Sequence, residues 1–219
     1  MKNCQINAIF LAAGNSKRMD ENKISLPLGS TTIGSFGLRR FIQSNINHIF
    51  VVTKVNDSLD WIDRDLFQLP YKKYWTHVPC INANHGQSHS LNCGLNEALK
   101  FDSKGIMILL ADQPFLSIET INTLHFNYLE LLKKDSTIPF LAASFQGIPR
   151  PPIIFSPISI PSLLKLTGDE GARKIVRMHK TLDDFLIDFE DKIDFFDIDT
   201  KEAYVMAKRI AQSKDNDDL

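Results

Sequence analysis

Three short runs along the chain are apolar almost without interruption: Ile6–Leu11, Ile49–Val52 and Ile106–Leu110. A strand with one wet face alternates apolar and polar residues. Unbroken runs therefore predict strands covered on both faces, as in a mostly parallel sheet. Between them the pattern changes to a helical one. Ile118, Ile121, Leu124, Tyr128 and Leu132 recur every three or four residues and predict a helix over 117–134, with Ser117 as its cap. Glu119 suits the positive end of that helix, and Lys133 and Lys134 the negative end. Leu91, Leu95, Ala98 and Leu99 predict a second helix, and Ala203, Met206, Ala207 and Ile210 a third. Strands alternating with helices predict an α/β domain of three layers.

Two stretches are less regular. Pro149, Pro151, Pro152, Pro157 and Pro161 surround the apolar Ile153–Phe155, which predicts an edge strand or a surface hairpin rather than a linker. Asp183–Asp199 carries eight acids and one base among Phe, Leu and Ile, and its acids are expected mainly on a solvated strand face. A single domain over 1–213 is expected, with the polar tail 214–219 fraying.

Composition narrows the classes. The 219 residues hold 25 Lys and Arg against 26 Asp and Glu, a net charge of −1, which argues against an indiscriminate nucleic-acid binder. At 43% hydrophobic and 10% aromatic the chain has material for a core, so wholesale disorder is excluded. Three cysteines without a Cys-x-x-Cys pair point to a reducing compartment rather than a disulfide scaffold. No apolar run approaches the ~20 residues of a bilayer helix, and the N-terminus lacks the form of a signal peptide. A soluble, cytoplasmic protein is expected, with no membrane partner.

Candidate chemistry begins after the first predicted strand, in Leu11-Ala12-Ala13-Gly14-Asn15-Ser16-Lys17-Arg18-Met19 and then Lys23. Ligands gather at the carboxyl ends of parallel strands. A small Ala-Ala-Gly turn there lets backbone approach a ligand, and its N–H groups can form an anion-binding nest. Ser16 adds a neutral donor, and Lys17, Arg18 and Lys23 add the charge to hold a triphosphate; a plain basic surface loop is the alternative. No Gly-x-x-x-x-Gly-Lys-Ser/Thr and no Gly-x-Gly-x-x-Gly occurs, which removes the main support for a P-loop or dinucleotide site. Asp112, in Ala111-Asp112-Gln113-Pro114, follows a second predicted central strand and faces the same crevice. One carboxylate plus phosphate oxygens and water is how Mg²⁺ is usually held. Capping the next helix is the alternative role, for which Ser117 is better placed. Together the two segments suit a metal–nucleotide complex and phosphoryl-type transfer, which needs no protein nucleophile. Cys80, His85, His89 and Cys93 offer a rival zinc set, but Gly86, Ser88 and a helix start among them fit nucleotide binding better.

The Leu-Ala-Ala-Gly-x-Ser-x-Arg-Met segment, Leu26-Pro27-Leu28-Gly29, Ala-Asp-Gln-Pro, and Gly168-Asp169-Glu170-Gly171-Ala172-Arg173 together resemble the MobA/MocA-like nucleotidyltransferases, and within them the molybdenum cofactor cytidylyltransferases. The resemblance runs in order from about Ile9 to Ile210. It implies a Rossmann-like nucleotidyltransferase fold with a mostly parallel mixed sheet. It also implies Mg²⁺-dependent transfer of CMP from CTP to molybdopterin cofactor, giving molybdopterin cytosine dinucleotide and pyrophosphate. Leu11, Ala12, Ala13, Gly14 and Ser16 would line the nucleotide site, with Arg18 on the β- and γ-phosphates and Lys23 on the α-phosphate. Asp112 would hold the metal, joined by Asp199 or Asp197. Asn84, Gly86, Ser88 and Ser90 match a nucleotide-pocket segment; Ala13 and Gln113 resemble the cytidylyl rather than the guanylyl branch. Gly168, Asp169 and Arg173 would face the pterin. An apo-molybdoenzyme such as a xanthine dehydrogenase would be a transient partner. Three positions depart from the family pattern: Asp20 stands where glycine is common, Arg150 replaces a glycine before the Pro151-Pro152 pair, and Lys201-Glu202-Ala203 breaks the usual ending. Guanylyl or sugar-phosphate transfer, or a non-catalytic cofactor carrier, are the alternative readings.

Overall fold

A computed structural model describes residues 6–14, 19, 22–179 and 181–217, without the side chains of Leu182 and residues 214–217. β1 (Ile6–Leu11) is followed by a small hairpin, β2 (Pro27–Leu28) and β3 (Thr31–Thr32), then α1 (Ile33–Gln43) and β4 (Ile49–Lys54). β5 (Trp75–Cys80), α2 (Gln87–Ala98), β6 (Gly105–Leu110) and α3 (Ile118–Lys134) come next. The rest is β7 (Phe140–Phe145), β8 (Ile148–Phe155), α4 (Ile160–Leu164), α5 (Arg173–Arg177), β9 (Leu186–Asp188) and α6 (Lys201–Asp217). The backbone of α6 thus carries helix into the segment expected to fray.

Seven strands form one sheet in the order β5-β4-β1-β6-β8-β7-β9. β5, β4, β1 and β6 run parallel, β8 is antiparallel to both β6 and β7, and β9 is parallel to β7. The expected mostly parallel mixed sheet is present, with β8 alone reversed. Alternate residues of the central strands feed two separate cores, because side chains on a strand change face at each residue. Ala8, Phe10, Val51, Met107 and Leu109 pack with Leu38, Phe41, Ile121 and Leu124 on one side. Ile9, Phe50, Val52, Ile106 and Ile108 pack with Leu91, Leu95 and Ala98 on the other. Covering on both faces is why these strands read as unbroken apolar runs. α2 comes close to the sheet because Gly94 has no side chain: a Cβ there would lie 2.6 Å from Ile9 Cγ2 and 2.9 Å from Val52 Cγ2.

Several expectations need correction. Ile148–Phe155 forms a hairpin with β7, as one of the two expectations had it, but it is an interior strand between β6 and β7 and not an edge. Its pairing with β7 passes from Ala142↔Ile153 to Ala143↔Arg150, so Pro151 and Pro152 fall in a bulge where no ladder hydrogen bond is asked of them. Leu99 and Met206, placed by periodicity on buried faces, are 49% and 53% exposed, because Leu99 ends α2 and α6 buries only its Ala207–Ala211 side. Cys80 and Cys93 are disulfide-bonded, with Cα atoms 5.8 Å apart. The cysteine count predicted free thiols because it carries no information on which strand end meets which helix. Ser117 does cap α3, its side chain accepting from Thr120 N at 3.0 Å. Among the described residues no helix is long and apolar enough to cross a membrane.

Candidate active site

From β1 the chain moves to β4 and β5 on one side, then returns to place β6 on the other side of β1. Connections that part in opposite directions open a crevice at the carboxyl ends of the two strands. Leu11 pairs with Leu110 across this point, so the Gly14 turn and Asp112 emerge side by side. A cleft of about 290 Å³ lies here. Leu11, Ala13 and Gly14 form one wall, Leu110 and Asp112 the floor beside it, and Ala83, Gly86, Gln87, Ser90 and Asp169 the opposite wall. Ala83, Gln87 and Leu110 are not legible as site residues in the sequence, since a small, a polar and an apolar residue carry no local signal for a site.

Lys23, in a short 3-10 turn, reaches between two carboxylates. Its Nζ donates to Asp112 Oδ2 at 2.6 Å and to Asp199 Oδ1 at 2.7 Å. The side chain is 12% exposed. Burial works against its charge, but the charge and hydrogen bond of Asp112, joined by Asp199, outweigh burial and lift its pKa above the ordinary value. Asp112 Oδ1 is buried and has no hydrogen-bond partner among the described residues. A bare, buried carboxylate oxygen is a fit for a divalent cation that takes hard oxygen ligands and brings its own water and phosphate oxygens. No group of three or more His, Cys, Asp or Glu able to hold a metal occurs among the described residues. The zinc alternative fails, since Cys80 and Cys93 are bonded to each other. Ser16 and Arg18, with Asp20, lie outside the described residues.

The acidic stretch also turns inward. Ile198 N donates to the Asp112 carbonyl at 2.9 Å, which stitches 197–199 to the end of β6. Asp199 thereby meets Lys23, and Asp197 Oδ1 accepts from Gln113 Nε2 at 2.8 Å. Burial, then the charge of Asp112, pushes the Asp197 carboxyl up, against the pull of the Gln113 hydrogen bond. Arg150 Nη1 lies 3.9 Å from Asp197 Oδ2. Asp194, 3% exposed, accepts from the hydroxyls of Ser117 and Thr120 at the start of α3. Asp194, expected with most of these acids on a solvated face, therefore points inward, and Asp197 and Asp199, the two candidate metal carboxylates, face the crevice: the apolar residues among them follow loop packing, not a strand alternation.

The remaining predicted residues divide. Gly86 (φ 127°) and Ser90 line the cleft, while Asn84 is exposed and off its walls. Ser88 is 1% exposed and works structurally: its N and Oγ both donate to the Gly168 carbonyl, at 3.1 and 2.8 Å. Ala12 is buried in the core, its N donating to the Val52 carbonyl at 2.9 Å. Gly168 and Asp169 lie against the Gly86 loop, so the segment expected on the pterin side borders the cleft wall; Arg173 is exposed and off that wall. A Cβ on Gly86 would sit 2.2 Å from the carbonyl carbon and oxygen of Gly168. Gly86→Ala is therefore expected to force these loops apart. It should lower stability by about 1–3 kcal/mol in thermal melts and weaken nucleotide binding at least tenfold by calorimetry.

This fold, with its charged cleft at the switch point of the sheet, is that of a nucleotidyltransferase. Residues 8–183 match the family described as the MobA-like NTP transferase domain, and the chain belongs to that family. Purine catabolism protein PucB of Bacillus subtilis (strain 168) is 38% identical over 210 residues, covering 95% of this chain and 98% of PucB. Among solved structures, Rv0371c from Mycobacterium tuberculosis H37Rv aligns with a TM-score of 0.72 at 21% identity, covering 94% of this chain and 98% of its own. The same protein is also known in complex with manganese, aligning with a TM-score of 0.65 at 20% identity over 94% of this chain and 98% of its own. A nucleotidyl transferase from Methanothermobacter, Mth528, aligns at 0.72 with 18% identity over 96% of this chain and 99% of its own. The solved structures share the fold.

Proposed function

We propose that the protein transfers CMP from CTP to the terminal phosphate of molybdopterin, releasing pyrophosphate, with Mg²⁺ accompanying the nucleotide. The observation that carries this reading is Lys23 held between Asp112 and Asp199 at the mouth of the β1/β6 crevice. The Ala13–Gly14 turn, nearly free of side chain, lets the triphosphate lie against backbone. Asp112 and Asp199 are the groups that would hold the ion. When bound, it offsets the repulsion between the two anionic substrates.

An oxygen of the acceptor phosphate forms a bond to the α-phosphorus of CTP. The bond from that phosphorus to the β-phosphate bridge breaks, and its electron pair leaves with pyrophosphate. Lys23 stays protonated at neutral pH and can turn from the carboxylates to the non-bridging α-oxygens, where charge is redistributed in the transition state. Ala13 and Gln113 resemble the cytidylyl branch of the family, which supports cytosine over guanine. The assignment of PucB to purine catabolism fits a xanthine dehydrogenase as recipient of the product.

The test is pyrophosphate release by the purified protein with molybdopterin, Mg²⁺ and each of the four NTPs. Release with CTP alone is the expected result. GTP turnover without CTP turnover would make it a guanylyl transferase, and tight pterin binding with no release would make it a carrier.

A further inference from the structure

Resting on that reading, we propose that Arg150 binds the acceptor's terminal phosphate and sets it against the nucleotide, with Gln113 beside it to receive a donor of the acceptor. Among the described residues six buried side-chain polar atoms lack a hydrogen-bond partner, and three of them fall together here: Asp112 Oδ1, Gln113 Oε1 and Arg150 Nε. Gln113 is 2% exposed. A buried donor or acceptor left unpaired costs about 1–3 kcal/mol, so half of such atoms gathered at one spot marks a place completed by a polar ligand.

The cation on Asp112, Lys23, and the cation on Asp197, Arg150, are held differently. Lys23 is bonded closely to two carboxylates, whereas Arg150 stands 3.9 Å from Asp197, beyond hydrogen-bond reach. Asp197 steers the guanidinium without occupying its donors. Its placement follows from the sheet: β8 runs antiparallel to β6 with Ile108 opposite Ile153, so the residues before Ile153 continue past the end of β6 toward Asp112. Pro149, Pro151 and Pro152 restrict the backbone on both sides of it. Because Asp199 holds Lys23 and Asp197 steers Arg150, with Ile198 bonded to the Asp112 backbone between them, anions on the two cations meet over Asp112. A guanidinium is suited to this task, since its paired N–H groups match phosphate oxygens and it keeps its charge at any working pH. The acceptor enters as a phosphate monoester dianion. One of its oxygens bonds to the α-phosphorus as pyrophosphate departs with the electron pair, so no proton transfer is required of Arg150.

The experiment compares wild type, Arg150→Gln and Arg150→Lys in steady-state transfer and in direct binding of molybdopterin and its dephosphorylated form. Arg150→Gln is expected to raise the acceptor KM at least tenfold and leave the CTP KM within twofold. It should also abolish the wild-type preference for the phosphorylated pterin; Arg150→Lys should restore part of that preference. An unchanged acceptor KM, or a preference that survives in Arg150→Gln, overturns the proposal. So does an equal rise in both KM values, which would mark a merely structural arginine. If wild type binds the phosphorylated pterin preferentially but releases no pyrophosphate, the transfer reading fails, and the Arg150→Gln binding data still decide the arginine's role.

Discussion

Asp112→Asn is expected to lower kcat/KM for nucleotidyl transfer about 10³-fold while the protein melts near the wild-type temperature. The substitution keeps the shape of the side chain and removes its charge. Lys23 retains Asp199 as a partner, so no cation is stranded. What disappears is the buried oxygen that has no hydrogen-bond partner among the described residues, Asp112 Oδ1, as a negative ligand. Manganese binding followed by electron paramagnetic resonance in the presence of CTP should weaken in parallel. Pyrophosphate release at the wild-type rate, with manganese binding intact, would remove Asp112 from the metal site.

Lys23→Ala should act on turnover more than on affinity, lowering kcat about 10²-fold with a smaller change in the CTP KM. A group that engages charge as it develops in the transition state contributes to kcat. A group that merely holds the ground-state triphosphate would show its loss in KM instead, and that pattern would refute the assignment. The ion pair also predicts a pH profile. The pKa of Lys23 is raised from 10.5, so the folded state binds its proton more tightly than the unfolded chain does. The stability this supplies is fully present below about pH 10.5 and is lost as pH rises through the higher folded value. The gap in melting temperature between wild type and Lys23→Ala should therefore be flat from pH 6 to about pH 9 and close only in strong alkali.

Lys23, Asp112 and Asp199 show where reading the chain succeeds and where it stops. Asp112 was legible because a carboxylate directly after a buried apolar run must emerge at the carboxyl end of a strand. Lys23 was legible as one of several cations near a small-residue turn. That they share a hydrogen bond across 89 positions, and that Asp199 joins them across 176, was not. Arg150 was noted as a departure from a family pattern, and its approach to Asp197 follows from β8 lying between β6 and β7. Asp194 reads as solvated and Asp197 as a metal carboxylate, because the pattern around an acid does not say whether a serine, a glutamine or an arginine from elsewhere will face it.

By itself the chain determined the buried strands β1, β4 and β6, the capped helix α3 and the α/β class, and it offered candidate residues for phosphate and metal. These depend on interactions within a few residues: strand alternation, helical spacing and a hydroxyl reaching the next turn. Only the tertiary structure decided the reversal and interior place of β8, the Cys80–Cys93 bond, the Gly86–Gly168 contact and the turn of the acidic stretch into the cleft. Each of these joins segments distant in sequence, and strand order with side-chain packing, rather than local preference, chooses which of them meet.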